Sequence, residues 1–239
     1  MARVAVPALK VERLAHHLFA GAHTDSLAAE ITAWLADSAR FRAFAEAHRD
    51  KIRKKLRNAT DEEGRRDVRA ELRAAHLLLA DRRIELAFEA YGSGKTGPDF
   101  TVTFRGERSF NMEVTRLRRA PGKATLGGPL LPKLRQLPPS APNVLLIAIE
   151  GDRADALDLP AATRALKARA DSKEDAFFLT RGFDGARGFY QRYRRLGAVL
   201  TWCEGAQPGA RGSLWLNAAA RIAVPQRAIR ACLLALDAD

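Results

Sequence analysis

The chain is poor in cysteine: Cys203 and Cys232 are its only two in 239 residues, and no cysteine-rich spacing surrounds them. That excludes a disulfide-built scaffold and a four-cysteine zinc site. Long apolar runs are also lacking. The best of them, 144–149 and 231–236, reach six residues each, whereas a membrane-crossing helix needs about 20. The opening MARVAVPALK is broken by Pro7 and ended by Lys10, too short an apolar stretch for a signal peptide. These absences predict a soluble cytoplasmic protein with no membrane partner. Acid is missing locally: 114–149 holds no Asp or Glu, while Arg116, Arg118, Arg119, Lys123, Lys133 and Arg135 supply six positive charges. No internal repeat or low-complexity linker is present.

What the chain does have is enough apolar material, 47%, for a sizeable core. Forty Lys and Arg stand against 28 Asp and Glu, a net charge of +12. Such an excess favours a polyanionic partner, although an Arg- and Ala-rich composition alone is a weak witness.

The first sixty residues read as helices. Leu27, Ile31, Trp34 and Leu35 recur at helical spacing, and Phe41, Phe44, Ile52 and Leu56 mark another stripe. The basic run Lys51, Arg53, Lys54, Lys55 and Arg57 is, by default, a solvated helix face. Thr60-Asp61-Glu62-Glu63 reads as a capping box, with Thr60 as the cap of a helix to about Ala80 that buries Val68, Leu72, Ala75 and Leu79. The period then changes to two at Ile84, Leu86 and Phe88, as in a strand.

After a glycine-rich break, Phe100–Phe104 and 110–115 alternate in the same way and are joined tightly enough for a hairpin. A three-residue turn at Gly106-Glu107-Arg108 is expected, placing Glu113 opposite Thr101 and Thr115 opposite Asp99. Residues 143–149 lack polar alternation and read as a strand buried on both faces. A helix at 161–170, strands at 198–202 and 213–217, and a closing helix at 226–236 complete the pattern. The expectation is an α/β core over 60–239 preceded by a helical N-terminal extension over 1–59.

Several motifs fail. Gly94-Lys95-Thr96 resembles a P-loop, but Glu89 occupies its first glycine position and a strand, not a helix, follows. His16, His17, His23 and His76 lack partners at zinc-ligand spacing. No nucleophile elbow starts a Ser-His-Asp triad. The hairpin acids are more informative. Asp99, Thr101 and Thr103 share one face of the first strand, and Asn111, Glu113 and Thr115 share one face of the second. Two carboxylates brought together on rigid strands repel unless a cation lies between them. Their hard oxygens suit Mg²⁺ or Mn²⁺, with the Val114 carbonyl as a further donor. Glu71, one turn from Val68 and Ala75, can be aimed at the same spot by its helix.

Glu71 on a helix, then a strand, Gly97-Pro98-Asp99-Phe100, a hairpin and Glu113-Val114-Thr115 together resemble the PD-(D/E)XK nuclease superfamily over about 62–149. The resemblance implies a restriction-endonuclease-like mixed β-sheet flanked by helices. It implies that Asp99 and Glu113 hold the metal and that Glu71 assists through metal or water. The family's lysine should fall two residues after the second acid, where this chain has Thr115. A threonine can hold a water but carries no charge to offset that of the transition state. Lys95 is the first candidate to replace the lysine, with Arg116, Arg118 and Lys133 as others.

Two basic regions are candidate nucleic-acid contacts. One is Arg116, Arg118, Arg119, Lys133, Arg135 and Gln136. The other is 187–195, where Arg192, Arg194 and Arg195 interleave with Phe189, Tyr190 and Tyr193, an arrangement that suits either base stacking or amphipathic packing. The resulting expectation is a Mg²⁺- or Mn²⁺-dependent endonuclease acting on DNA, with a homodimer as a way to cut both strands. The alternative is a catalytically impaired nuclease-fold module that binds nucleic acid without cutting it. A third reading is an interaction domain whose basicity is only compositional.

Overall fold

The computed structural model describes residues 5–20, 25–90, 97–117, 127–150, 158–204 and 212–237. The chain forms two compact units, 1–82 and 83–239. The helix carrying Glu71 lies in the first of them, whereas the sequence pattern began the α/β core at residue 60.

The first unit is helical: α1 (Ala5–Phe19), α2 (Asp25–Asp37), α3 (Ala39–Ala47), α4 (Arg49–Asn58) and α5 (Glu62–Leu78). Leu14, Leu18, Ile31, Leu35, Phe41, Ile52, Leu56 and Leu72 are all buried, the inward stripes of their helices. The Phe41–Leu56 stripe is divided between α3 and α4, which meet at His48. α5 is capped by Asp61, not Thr60: the Asp61 carboxylate accepts from Gly64 N at 2.7 Å. An Asp at this position also places negative charge at the positive end of the helix dipole.

The second unit is an α/β domain. In chain order it contains β1 (Ile84–Phe88), β2 (Phe100–Phe104), β3 (Phe110–Arg116), α6 (Gly127–Gln136), β4 (Asn143–Glu150), α7 (Leu159–Asp171), α8 (Asp175–Leu179), α9 (Gly185–Tyr193), β5 (Leu196–Glu204), β6 (Leu214–Leu216) and α10 (Gln226–Leu236). The strands make one open mixed sheet in the order β1-β2-β3-β4-β5-β6. β1, β2 and β3 form an antiparallel meander, β3, β4 and β5 run parallel, and β6 returns antiparallel. The strand at 143–149 is buried on both faces, as its uninterrupted apolar sequence requires.

The hairpin register differs from expectation. Thr101 faces Asn111 and Phe100 faces Met112, two residues from the Thr101–Glu113 pairing. The turn is made by Arg105 and Gly106, both at positive φ, with Glu107 N donating to the Phe104 carbonyl. That is the left-handed pair a two-residue hairpin turn uses. One extra residue then enters the outgoing side before Phe110 pairs with Val102. This extra residue keeps the polar faces of the two strands in phase, and the Thr103 and Ser109 hydroxyls meet across them at 2.7 Å.

Along β3 the even positions Phe110, Met112 and Val114 lie on one face, and Asn111, Glu113 and Thr115 lie on the other. Glu113 neighbours Leu145 across β4, and Leu145 neighbours Val199 across β5. This second face is covered by α6 to α9, through Leu130, Leu134, Leu166, Phe178 and Phe189. Phe189 and Tyr193 are buried in that layer, with ring centroids 5.6 Å apart. They pack the core rather than offering stacking surfaces, and Tyr190 packs partly against the same cluster.

Candidate metal and nucleic-acid site

Asp99 immediately precedes β2 and is 8% exposed. Its carbonyl accepts from Glu89 N at 2.9 Å, and its side-chain Oδ2 accepts from Val114 N at 2.8 Å. Both ends of the residue are thereby pinned by main-chain donors. The β2–β3 pairing ends at Phe100–Met112, and Asp99, the residue before it, reaches β3 through the bond from Val114 N to its Oδ2. The Val114 carbonyl faces the β2 side of β3, since Asn111 and Leu117 N–H bonds go to the β4 side and alternate residues point oppositely.

Glu113 is 4% exposed. Its Oε1 accepts from the Lys133 ammonium at 2.6 Å. Lys133 comes from α6, on the flank of the buried stripe Leu130, Leu131, Leu134 and Leu137. Thr115 is half-buried on the same face as Glu113. The structure thus brings Lys133 to Glu113, and the Asp99 carboxylate to the main chain between Glu113 and Thr115. The carboxylate oxygens of Asp99 and Glu113, with the Val114 carbonyl, are hard donors of the kind that suits Mg²⁺ or Mn²⁺. Among the described residues no group of three or more His, Cys, Asp or Glu gathers as a metal site.

The remaining predicted residues are placed differently. Glu71 belongs to the helical unit, where it is ion-paired to Lys55. Lys95, Arg118 and Arg119 lie outside the described residues. Arg116 is only 4% exposed, on the apolar face with Met112 and Val114, so it is not presented as a surface contact. Arg135 and Gln136 of α6 and Arg192 of α9 line a common cleft of about 420 Å³, which Asp184 also borders. Arg194 is exposed at the end of α9. Arg195 donates to the Leu137 carbonyl at 3.0 Å, and burial, with repulsion from Arg192 and Arg221, holds its guanidinium below its ordinary pKa.

Sequence reasoning missed the buried amides. Asn143, fully buried, donates through Nδ2 to the carbonyls of Pro138, Ala141 and Arg195 and accepts from Asn111. Asn217 donates to the carbonyls of Tyr193 and Leu196. The available signal was an asparagine at the head of an otherwise wholly apolar strand. No described helix is long and apolar enough to cross a membrane. Comparison with known proteins finds no matching family model, no matching curated protein and no matching solved structure.

Proposed function

We propose that the chain is a metal-dependent nuclease that hydrolyses phosphodiester bonds in DNA, on a restriction-endonuclease-like core and in the cytoplasm. The observation that carries the reading is a pair of buried carboxylates at one end of the β2–β3 pairing: Asp99, which accepts from Val114 N, and the neighbouring Glu113, with Lys133 against it. The antiparallel meander followed by a helix and a parallel strand supports the fold assignment.

Asp99, Glu113 and the Val114 carbonyl would hold the ion. When bound there, a divalent cation supplies Lewis acidity toward a phosphate oxygen and toward a nucleophilic water. Val114 N fixes the orientation of the Asp99 carboxylate. Lys133 takes the role of the motif lysine from a different element: its ammonium, already beside Glu113, offsets charge that builds on the scissile phosphate. The Thr115 hydroxyl, on the same face, orients water without adding charge. Arg135, Gln136 and Arg192 hold the backbone beyond the reacting phosphate. Pairing of two chains would place two such centres on opposite strands of a duplex.

The test is incubation of the purified chain with plasmid DNA and Mg²⁺ or Mn²⁺ beside Asp99→Ala. Nicking or linearisation by the parent alone is expected, and equal degradation by both proteins defeats the reading. A second reading has its own observation: the Lys133 ammonium already occupies Glu113 Oε1, which suits a module that binds DNA without cutting it. Salt-dependent binding with no metal-dependent product would select it.

A further inference from the structure

The helical unit carries a basic groove that the catalytic reading does not use. Lys10, Arg13 and His17 run along one flank of α1, at the three- and four-residue spacing that aligns side chains up one side of a helix. Beside them, Ala39 and Ala43 stand one turn apart on the exposed face of α3, and their single-carbon side chains leave a trough floored by buried Leu14. Arg49 borders the trough as well, and its volume is about 650 Å³. Glu46 is the one carboxylate among the lining residues, and Arg49 Nη1 lies 3.0 Å from it. Lys10 and Arg13 are exposed, and neither meets a carboxylate among the described residues. His17 is held by Asp50 at 3.0 Å, which ties α1 to the start of α4 and fixes that side of the groove.

We infer that this groove holds the phosphodiester backbone of one DNA strand, which makes the helical unit a DNA-holding module. The identity of the ligand rests on the nuclease reading, whereas its polyanionic character rests on the groove itself. The row from Lys10 to His17 rises about 10 Å along the helix. At 3.4 Å per nucleotide of one strand, that is about three successive nucleotides. A lone phosphate ion would engage Lys10 or Arg13, and a continuous strand engages both and runs on along the row. The alanine-lined floor admits sugar and phosphate without demanding a base edge, so the contact is independent of DNA sequence.

The experiment is fluorescence anisotropy of a labelled DNA duplex with the full chain, in chelator, over a salt series. Lys10→Glu/Arg13→Glu is compared with Lys54→Glu/Arg57→Glu, which makes the same change of charge at exposed positions of α4 outside the groove. The groove variant is expected to bind about tenfold more weakly or worse. Its slope of log affinity against log salt should flatten by about 2, at roughly 0.9 for each phosphate no longer neutralised. The control should weaken about threefold or less, through bulk charge alone. Equal weakening in the two variants, or none in either, overturns the inference. If the glutamate variant melts below the parent, Lys10→Gln/Arg13→Gln is read in the same way. Failure of the nuclease reading shows separately, as no metal-dependent nicking by the parent, and leaves the binding measurement intact.

Discussion

Two polar clusters are buried in the α/β unit, and they are satisfied by different means. Asn143 and Asn217 are bonded mainly to main-chain carbonyls: Asn143 ties the loop before β4 to the end of the α9 segment, and Asn217 ties the end of α9 to the start of β5. Main-chain partners do not change their charge or leave, so these amides act as staples. Asp99, Glu113 and Lys133 form a cluster of charges, in which Glu113 is neutralised by a side chain from another element. Removal of charge from water is costly, and a pair of this kind is weak evidence for stability. The difference separates a polar group kept for architecture from one kept for chemistry.

The comparison breaks most visibly at Asp99. Asp99→Asn keeps an oxygen able to accept from Val114 N, so the melting temperature should stay close to that of the parent. Metal-dependent cleavage should fall by about 10³-fold or more, as for removal of a principal electrostatic partner at a reacting centre. The heat of Mn²⁺ binding should vanish in titration calorimetry. A variant that unfolds, or that cuts at the parental rate, would put Asp99 among the staples instead.

Asn143→Ala should show the opposite profile. It strips the Pro138, Ala141 and Arg195 carbonyls and the Asn111 amide of a buried partner. The cost expected in chemical denaturation is about 3 kcal/mol. Cleavage per folded molecule should not change. A rate decrease larger than the decrease in folded protein would link the amide network to the reaction.

These contrasts follow from what local sequence can and cannot encode. The β4 strand and α10 were legible because an unbroken apolar run and a terminal helical stripe are local patterns. The in-phase polar faces of β2 and β3 were legible from alternation, which fixes parity, as the Thr101–Asn111 pair and the Thr103–Ser109 contact show. The register was not, because it depends on Arg105 adopting a left-handed conformation and on one extra residue after Glu107, neither of which alternation encodes. The cap at Asp61 was misassigned to Thr60 because both residues favour that position. In 187–195 the aromatics read equally as stacking groups or as core, and only the packing of Phe178 on Phe189, at 4.5 Å between centroids, decides it. The Lys133–Glu113 pair joins a helix to a strand twenty residues earlier, and nothing in either segment marks the other.

Lys133 sharpens the comparison because it bears on both stability and chemistry. Lys133→Met keeps the length of the side chain and removes its charge, leaving Glu113 without that ammonium. Turnover should fall by about 10²-fold. Mn²⁺ binding should persist or tighten, since a competing cation is gone. A purely structural lysine would lower stability and leave the rate of the folded fraction untouched, so turnover with metal affinity separates the roles. Lys133→Arg should recover part of the rate, because the guanidinium restores charge in a wider, planar form.

The smallest effect is expected in the helical unit, where His48 and His76 are set against aromatics. His76 stacks on Trp34 at 5.6 Å and meets Phe41 edge-on at 5.4 Å, and His48 lies against Phe44 at 4.9 Å. Burial, reinforced by Arg73, lowers the pKa of His76, and the exposed Asp37 carboxylate only partly opposes this. Burial, reinforced by Lys51, lowers that of His48. A histidine whose folded pKa is depressed binds its proton more readily in the unfolded chain. Its stabilising contribution is therefore complete above the ordinary histidine pKa and declines as the pH falls through that value toward the folded one. Denaturant midpoints of the full chain should accordingly decrease between about pH 7.5 and 5.5, within the range where histidine titrates. His76→Phe retains the ring and removes the titration, so its midpoint should decrease less over the same range. An identical decrease in parent and variant would assign the acid sensitivity to other groups.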